Sequence, residues 1–405
     1  MLYRQLWIII LCILLTGCWD NMEIQNRGYI IGISVDKTTP IPKGFEEEEE
    51  YKQEIPLEEV PLQKGESQYA YTIQIPILAM AKNKAAGGGG GGGDAVEATW
   101  NLTILGNSFM QANRTLATRL DYPPYYEHLQ TIVLSDEVAR EGISKPLDLF
   151  LRDHEMRRRT RIFVIEGEAK KVLDVIPKID DYPSLYLAKL PNSSKLTSRI
   201  PHLVDLGVVS ESIHGGNDFI LPRITVTKNE IRNAGLAVFK GEKMVGWLDE
   251  IHTIYAKWIR DLVKGGIIMI EDPRSEEGIL VLEVKKAKTK VRPLVTEEQI
   301  NMKIDVKATF NLAEKFGSHH SDALDNEYIK EMEAKTEQYM KNQIKNTIKH
   351  VQKEFGADIF LFNVQMQRYE PKVWELVKDD WEDIFKQIDP EVIVKVKIKQ
   401  IGTMK

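Results

Sequence analysis

The chain has 405 residues, which is more than one hydrophobic core usually serves, so we expect two or three domains. Hydrophobic residues make up 43% and charged residues 28% of the sequence, and these are ordinary values for a globular protein. The formal net charge of -6 argues against nucleic acid as a partner, because nucleic-acid binding favours a basic surface.

The first 17 residues have the pattern of an export signal. One positive charge, Arg4, precedes an apolar block over Leu6–Leu15, which is shorter than the roughly 20 residues of a membrane span. Leu-Thr-Gly then precedes Cys18, and this resembles the bacterial lipobox, whose cysteine thiol receives a diacylglyceryl group. We expect residues 1–17 to be removed as a signal peptide, leaving Cys18 as a lipid-carrying N-terminus that anchors the protein to the bilayer. A chance cysteine is the alternative. Cys12 would leave with the signal, so no intrachain disulfide is expected.

The mature chain begins with a predicted buried strand over Tyr29–Val35, which is mostly isoleucine and valine. The residues Cys18-Trp19-Asp20, the pair Glu23-Ile24 and the end of this strand at Asp36-Lys37 resemble the opening of the Ger(x)C family. Members of that family are the lipoprotein C subunits of spore germination receptors. Three later segments, given below, agree with the family in order and spacing.

Two low-complexity segments flank a second predicted strand, Tyr69–Ile77. Residues 38–67 are acidic and rich in proline, with five glutamates over Glu46–Glu50, and we interpret them as an exposed loop. Calcium or partner binding is the alternative, but consecutive glutamates without turn-forming glycines lack the geometry of a calcium loop. The run Gly87–Gly93 indicates a flexible loop, and no following lysine and Ser/Thr supports a phosphate-binding role.

Short strands and helices alternate in the next part of the chain. The prediction is a strand at Thr103–Leu105, a helix after Ser108, a helix at Asp136–Arg140 capped by Ser135, a helix from Lys145 and a strand at Ile162–Ile165. The second family match runs from His128 through Phe150-Leu151-Arg152-Asp153 to Val164 and the following Ile-Glu-Gly-Glu-Ala. It is the most specific of the four.

Two functional interpretations apply to this part of the chain. His128 and His154 with Glu127 or Glu155 are candidate metal ligands, but the i, i+4 histidine pair of metal-binding helices is absent, so no metal site is expected. Five arginines over Arg152–Arg161 suit lipid phosphates. Because they cross a helix end and a strand start, we expect them to point to different faces, and lipid contact is the less favoured interpretation.

The middle of the chain predicts a small unit built on a β-hairpin. Proline, serine and glycine over Leu190–Leu221 indicate a domain boundary, and Asp218–Val226 predicts a strand. Two apolar runs around a Lys- and Gly-rich turn predict the hairpin Gly235–Leu248, which is the third family match. A helix over Asp249–Val263 follows.

The last part has the clearest periodicity. Strands at Gly278–Val284 and Met302–Phe310 precede an amphipathic helix over Asn326–Glu354, capped by Gly356. A short strand at Ile359–Val364 and a second helix marked by Trp374 through Ile388 are also predicted. The final strand carries Lys395, Lys397 and Lys399 on one face. Protection of a sheet edge is favoured over a membrane-facing ridge. The fourth family match runs from Ala357 through Trp374 and Trp381 to this strand.

The matches run from Cys18 to Thr403, and the family fold implies three α/β domains in a mixed α/β ectodomain. We expect three domains, at 18–195, 196–276 and 277–405. The first includes the acidic loop 38–67 and the poly-Gly loop 87–93, and the second includes the hairpin. The last domain is expected to be a sheet packed by the long helix and by a second C-terminal helix.

The resemblance also implies a function. It implies a non-enzymatic lipoprotein on the outer face of the inner spore membrane, without metal or cofactor, which assembles with a multi-pass A subunit and a transporter-like B subunit so that nutrients trigger germination. A lipid-anchored extracytoplasmic solute-binding protein is the first alternative. A hydrolase acting on the cell wall is the second, although no Gly-x-Ser-x-Gly or His-Glu-x-x-His motif occurs.

Overall fold

The computed structural model describes residues 28–38, 68–77, 98–153, 156–177, 179–227, 230–297, 299–317 and 326–401. The predicted signal peptide 1–17, Cys18, nearly all of the acidic loop and the run Gly87–Gly93 lie outside these ranges.

The described residues form two large sheets and a set of helices that cover them. The strands are β1 (Gly28–Tyr29), β2 (Gly32–Lys37), β3 (Tyr69–Pro76), β4 (Thr99–Gly106), β5 (Pro124–Tyr125), β6 (Thr131–Ser135), β7 (Arg161–Ile165), β8 (Phe219–Val226), β9 (Ile231–Lys240), β10 (Lys243–Leu248), β11 (Ile267–Glu271), β12 (Ile279–Val295), β13 (Ile300–Phe316) and β14 (Glu391–Ile401). The helices are α1 (Phe109–Leu116), α2 (Asp136–Glu141), α3 (Ser144–Arg152), α4 (Lys170–Asp174), α5 (Pro183–Lys189), α6 (Leu206–His214), α7 (Glu250–Ile259), α8 (Asn326–Glu354), α9 (Phe362–Tyr369), α10 (Pro371–Val377) and α11 (Trp381–Gln387), with short 3-10 helices at Leu190–Lys195 and Lys378–Asp380.

The first sheet has eight strands in the order β10-β9-β8-β7-β6-β2-β3-β4. Its centre, from β8 to β2, is parallel, whereas the outer strands on both sides pair antiparallel. Helices cover both faces of a parallel centre, so its strands read as continuous apolar runs, and every residue of β6 is buried. Ser135 ends β6 and caps α2 by accepting a hydrogen bond from the N–H of Val138, as the sequence predicts.

The predicted hairpin is β9 and β10, and it extends the eight-stranded sheet through β8. Together with β8 the hairpin presents two faces, and these belong to different cores. The buried side chains that pack with the N-terminal strands and helices are Leu221, Ala237, Phe239 and Met244. Those that pack with the C-terminal sheet and helices are Ile220, Leu236, Val238 and Leu248. The three-domain division stays a prediction, while the hairpin itself is a wall common to both cores.

The second sheet has the order β11-β12-β13-β14, in which β14 pairs parallel to β13 and the other pairs are antiparallel. The predicted long helix is α8, and its apolar stripe, including Met332, Met340, Ile344 and Ile348, is fully buried. Complete burial of such a side chain contributes about 1.5–3 kcal/mol, so this stripe fixes α8 on the sheet. No helix of the described ranges has both the length and the apolar character needed to cross a membrane.

Two predictions for the C-terminal part need correction. The strand predicted at Ile359–Val364 is wrong: Leu361 has left-handed backbone angles and α9 begins at Phe362. The carboxylate of Asp358 accepts hydrogen bonds from the N–H groups of Phe362 and Asn363, and this local capping starts a helix where an apolar run suggested a strand. The second C-terminal helix is present as α10 and α11, separated by the 3-10 turn at Lys378–Asp380.

Candidate functional site

Of the residues singled out as metal ligands, the two that the structure describes, Glu127 and His128, do not form a site. The exposed ring of His128 packs against the rings of Tyr29 and Tyr125, at centroid distances of 5.0 and 5.8 Å. Glu127 pairs with Arg157 at 3.0 Å. Wherever side chains are described, no group of three His, Cys, Asp or Glu residues could hold a metal ion. His154 and Glu155 lie outside the described residues, as does the predicted lipidation residue Cys18.

Three of the five arginines over Arg152–Arg161 pair with separate carboxylates, and a fourth is partly buried. Arg152 pairs with Asp148 at 2.7 Å, and Arg158 pairs with Glu211 at 3.1 Å. Arg161 is partly buried, and burial lowers its pKa. Because these guanidinium groups already face carboxylates or the interior, they do not form one surface for lipid phosphates.

The most developed polar site joins the hairpin to the C-terminal part and is centred on Asp358, a buried residue in the loop between α8 and α9. Its Oδ1 accepts from the N–H of Phe362 at 3.1 Å, and its Oδ2 accepts from the N–H of Asn363 at 2.7 Å and from Trp381 Nε1 at 3.1 Å. Burial raises the pKa of this carboxyl to about 6, although these donors lower it.

Asp218, at the start of β8, links Asp358 to the hairpin. Its Oδ2 accepts from the N–H of Asp358 at 2.7 Å, and its Oδ1 accepts from the N–H of Gly241 in the hairpin turn at 3.1 Å. Burial raises the pKa of Asp218 as well. Beside it, Asn363 Nδ2 donates to Asn217 Oδ1 at 2.6 Å. Two carboxylates thus fasten the start of β8, the turn of the hairpin and the start of α9 to one another.

A second polar group lies around α7. Lys257 is buried and its Nζ donates to the carbonyl oxygen of Ile200 at 2.6 Å, while burial lowers its pKa to about 8. Burial, followed by the charges of Arg260 and Lys257, lowers the pKa of His202 to about 3, so this imidazole is neutral. Burial also lowers the pKa of Arg260 to about 10, and the charge of Asp358 opposes that shift.

The hairpin and the C-terminal part also pack closely against each other at this junction. Gly246 of β10 lies against Phe355 at the end of α8, where a Cβ atom would come within 2.5 Å of the ring. On the surface Lys240 Nζ pairs with Glu382 at 2.5 Å. The family resemblance included Asp358 in a matching segment, but no local pattern revealed its role, because its partner Asp218 is 140 residues away.

The fold and this junction define a mixed α/β protein whose buried polar groups fasten its parts to one another. The chain belongs to the spore germination family: a family model described as "Spore germination protein N-terminal domain" matches residues 20–226. A second model, described as "Spore germination B3/ GerAC like, C-terminal", matches residues 234–402. The family is non-catalytic, which agrees with the expectation that this chain is not an enzyme.

Relatives of similar length support this membership. "Spore germination protein YndF" of Bacillus subtilis (strain 168) is 29% identical over 411 residues, covering 100% of this chain and 98% of that protein. "Spore germination protein B3" of the same organism is 23% identical, with coverage of 96% and 95%. The solved structure titled "Crystal Structure of the GerBC protein" aligns with a TM-score of 0.56 at 21% identity, covering 83% of this chain and 95% of that one. The predicted family and the mixed α/β fold are confirmed.

Proposed function

We propose that this protein is the non-catalytic, lipid-anchored C subunit of a nutrient germinant receptor and is required for nutrient-triggered spore germination. The observation that carries the proposal is the match of both halves of the chain to germination proteins along nearly their full length. The segment Leu-Thr-Gly-Cys18 behind an apolar block supports the lipid anchor.

The proposed location is the outer face of the inner spore membrane, where the protein assembles with the A and B membrane subunits. The export signal and the lipobox support attachment by acyl chains at Cys18. Each buried methylene contributes about 0.8 kcal/mol, so a diacylglyceryl group with two chains holds far more firmly than one chain. The acidic net charge of -6 gives no general attraction to anionic lipid, and attachment therefore rests on the anchor.

Cys18→Ala tests the anchor. We expect the variant to lose lipidation, to leave the membrane fraction and to weaken germination, while the body stays folded because the residue is at the extreme mature terminus. Fractionation of spore membranes without detergent and circular dichroism of the released protein measure this. Cys12→Ala is the matched control, since it removes a thiol from the signal peptide and leaves anchoring unchanged. Retention of Cys18→Ala in the membrane would refute the anchor.

Assembly is tested separately by purifying a tagged version of the protein from spore membranes. We expect the A and B subunits to be recovered with it in a fixed ratio. Equilibrium dialysis of the purified protein against germinant amino acids and sugars checks the rival solute-binding function. Micromolar binding by this protein alone, without recovery of A and B subunits, would overturn the receptor-subunit proposal.

A further inference from the structure

A basic cleft lies on the second sheet, on the face opposite α8. Val394, Val396 and Ile398 of β14 are buried in the core with α8, so the alternating Lys395 and Lys397 are exposed on the other face. The cleft has a volume of about 680 Å³, and lysine supplies seven of its eleven lining residues, with no carboxylate among the eleven. Positive charge is therefore concentrated at one place in a chain of net charge -6.

The strand register places these lysines in rows. Lys288 of β12 is directly opposite Lys307 of β13, and Lys307 is directly opposite Lys395 of β14. Since neighbouring strands are about 4.8 Å apart, this row spans roughly 10 Å. Like charges in directly opposed positions destabilise a sheet. The arrangement is therefore unfavourable for the free protein unless something compensates the charge.

The second row lies two residues along and contains Lys286, Thr309 and Lys397. Its middle position is a hydroxyl instead of a third ammonium group. Both rows are therefore on one face of the sheet, and together they surround the floor of the cleft with donors. Between the rows the chain passes through Ala287 and Ala308, which line the floor of the cleft while their methyl groups belong to the core on the α8 face.

Only part of this charge is balanced within the described part of the chain. Lys288 pairs with Asp261, and Lys285 pairs with Glu283 at 2.6 Å. The remaining five lysines have no ion pair or side-chain hydrogen bond to any described residue: Lys264, Lys286, Lys307, Lys395 and Lys397. Five unbalanced ammonium groups around one concavity are what an anion with several charges requires.

We propose that the lysine cleft binds a small soluble polyanion that carries two or more phosphate groups. An ammonium group is a compact charge with three donors, so several of them suit phosphate oxygens spaced along one molecule. The volume of the cleft is within the range of small-molecule sites, about 300–1,000 Å³. A concave site is filled by a small molecule, whereas a flat lipid surface would contact only its rim. The proposal is independent of the receptor-subunit function.

Calorimetric titration of the full chain with sodium tripolyphosphate tests the site. We expect saturable binding to one site that weakens as salt is added. Lys307→Gln with Lys395→Gln should lower the affinity roughly tenfold, because two ammonium partners of the same anion are lost. The matched control is Lys330→Gln with Lys341→Gln on the exposed surface of α8, which removes the same charge and should keep the affinity within about twofold.

Thermal melting gives a second, independent readout. Without tripolyphosphate and at low salt, the Lys307→Gln, Lys395→Gln variant should melt at a higher temperature than the wild type, since the repulsion across the strands is relieved. Adding tripolyphosphate should raise the melting temperature of the wild type by more than that of the variant. An equal loss of binding in the cleft and control variants would reduce the effect to net charge and overturn the site.

Vesicles of phosphatidylglycerol test whether the cleft binds a lipid headgroup instead of a soluble phosphate compound. We expect the cleft variant and the wild type to bind such vesicles equally. Vesicle binding that depends on Lys307 and Lys395, together with no saturable tripolyphosphate binding, would overturn the small-ligand proposal and assign the face to the membrane.

Discussion

At the residue scale, the buried carboxylates keep protons that an exposed aspartate would lose. Burial raises the pKa of Asp358 from 3.8 to about 6, and the same cause raises that of Asp36 to about 6. Asp36 lies one residue before the end of β2 and accepts from the N–H groups of Ala169 and Lys170 at 2.6 and 3.0 Å, at the start of α4. Between the two pKa values the folded state binds more protons than the unfolded state, so the contribution of each group to stability falls as pH rises.

Asp358→Asn tests the sign of this effect. The stabilising contribution of Asp358 is complete below its unfolded pKa near 3.8 and is lost as pH rises through about 6. The difference in unfolding free energy between wild type and variant should therefore narrow by about 2 kcal/mol from about pH 4 to about pH 7, out of about 3 kcal/mol in all at about 1.4 kcal/mol per pKa unit. Urea denaturation at several pH values measures the gap.

The variant should also be less stable at each pH, because an amide replaces one acceptor oxygen opposite the N–H donors of Asn363 and Trp381. Asp379→Asn, at an exposed position, is the matched control for loss of one carboxylate. A gap that stays constant with pH, or that widens as pH rises, would show that Asp358 is not protonated preferentially in the folded state.

At the element scale, β14 is an edge strand, and side chains of α8 occupy two of its outward N–H groups. The N–H of Val396 donates to Glu337 Oε1, and the N–H of Ile398 donates to Glu333 Oε1, both at 2.8 Å. The two glutamates are one turn apart on α8, so the helix reaches past the end of the sheet and covers two donors of its edge. An edge strand with free donors is a template for pairing with another chain.

Replacing both glutamates with alanine should expose this edge. We expect Glu333→Ala with Glu337→Ala to lower the free energy of unfolding by about 1 kcal/mol per lost hydrogen bond and to increase self-association. Light scattering during size-exclusion chromatography and denaturant unfolding measure the two effects. The Glu333→Gln, Glu337→Gln variant keeps an acceptor oxygen at each position and should remain monomeric; association of this control to the same extent would make charge, and not hydrogen bonding, the protecting factor.

The elements that could be predicted are those whose pattern is local and long. The 29-residue helix α8 and the alternating strand β14 show their period directly in the sequence. The strand predicted at Ile359–Val364 was wrong because a short apolar run fits a strand or a buried helix equally. Capping by Asp358 makes this segment begin a helix. The lysine rows and the link from Asp218 to Asp358 depend on register and long-range folding, which no local pattern contains.

At the scale of the whole molecule, the boundary between the two family models lies between residues 226 and 234. In the structure this boundary separates β8 from β9, which pair antiparallel with each other. The hairpin contributes one face to each core. The two matched segments are therefore joined through a continuous sheet, and neither can keep its core intact without the other.

Leu248 offers a test of this joint core. The residue is fully buried at the end of β10 on the C-terminal face of the hairpin. We expect the wild type to unfold in one calorimetric transition, and Leu248→Ala to lower the stability of the entire molecule by about 2–5 kcal/mol while the transition stays single. Two separate unfolding transitions, with Leu248→Ala lowering the temperature of only one of them, would contradict a joint core. The exposed Val245→Ala on the same strand is the control.

The common wall formed by β8, β9 and β10 also determines how this body can move. Proteins that respond by closing two lobes need a hinge of a few residues that absorb the rotation. Here the two halves meet along paired strands with carboxylate ties at Asp218 and Asp358, so a displacement imposed on one half is carried to the other without bending. A neighbour that pushes on the C-terminal sheet would tilt the N-terminal sheet by the same angle, and the molecule would act as a stiff lever.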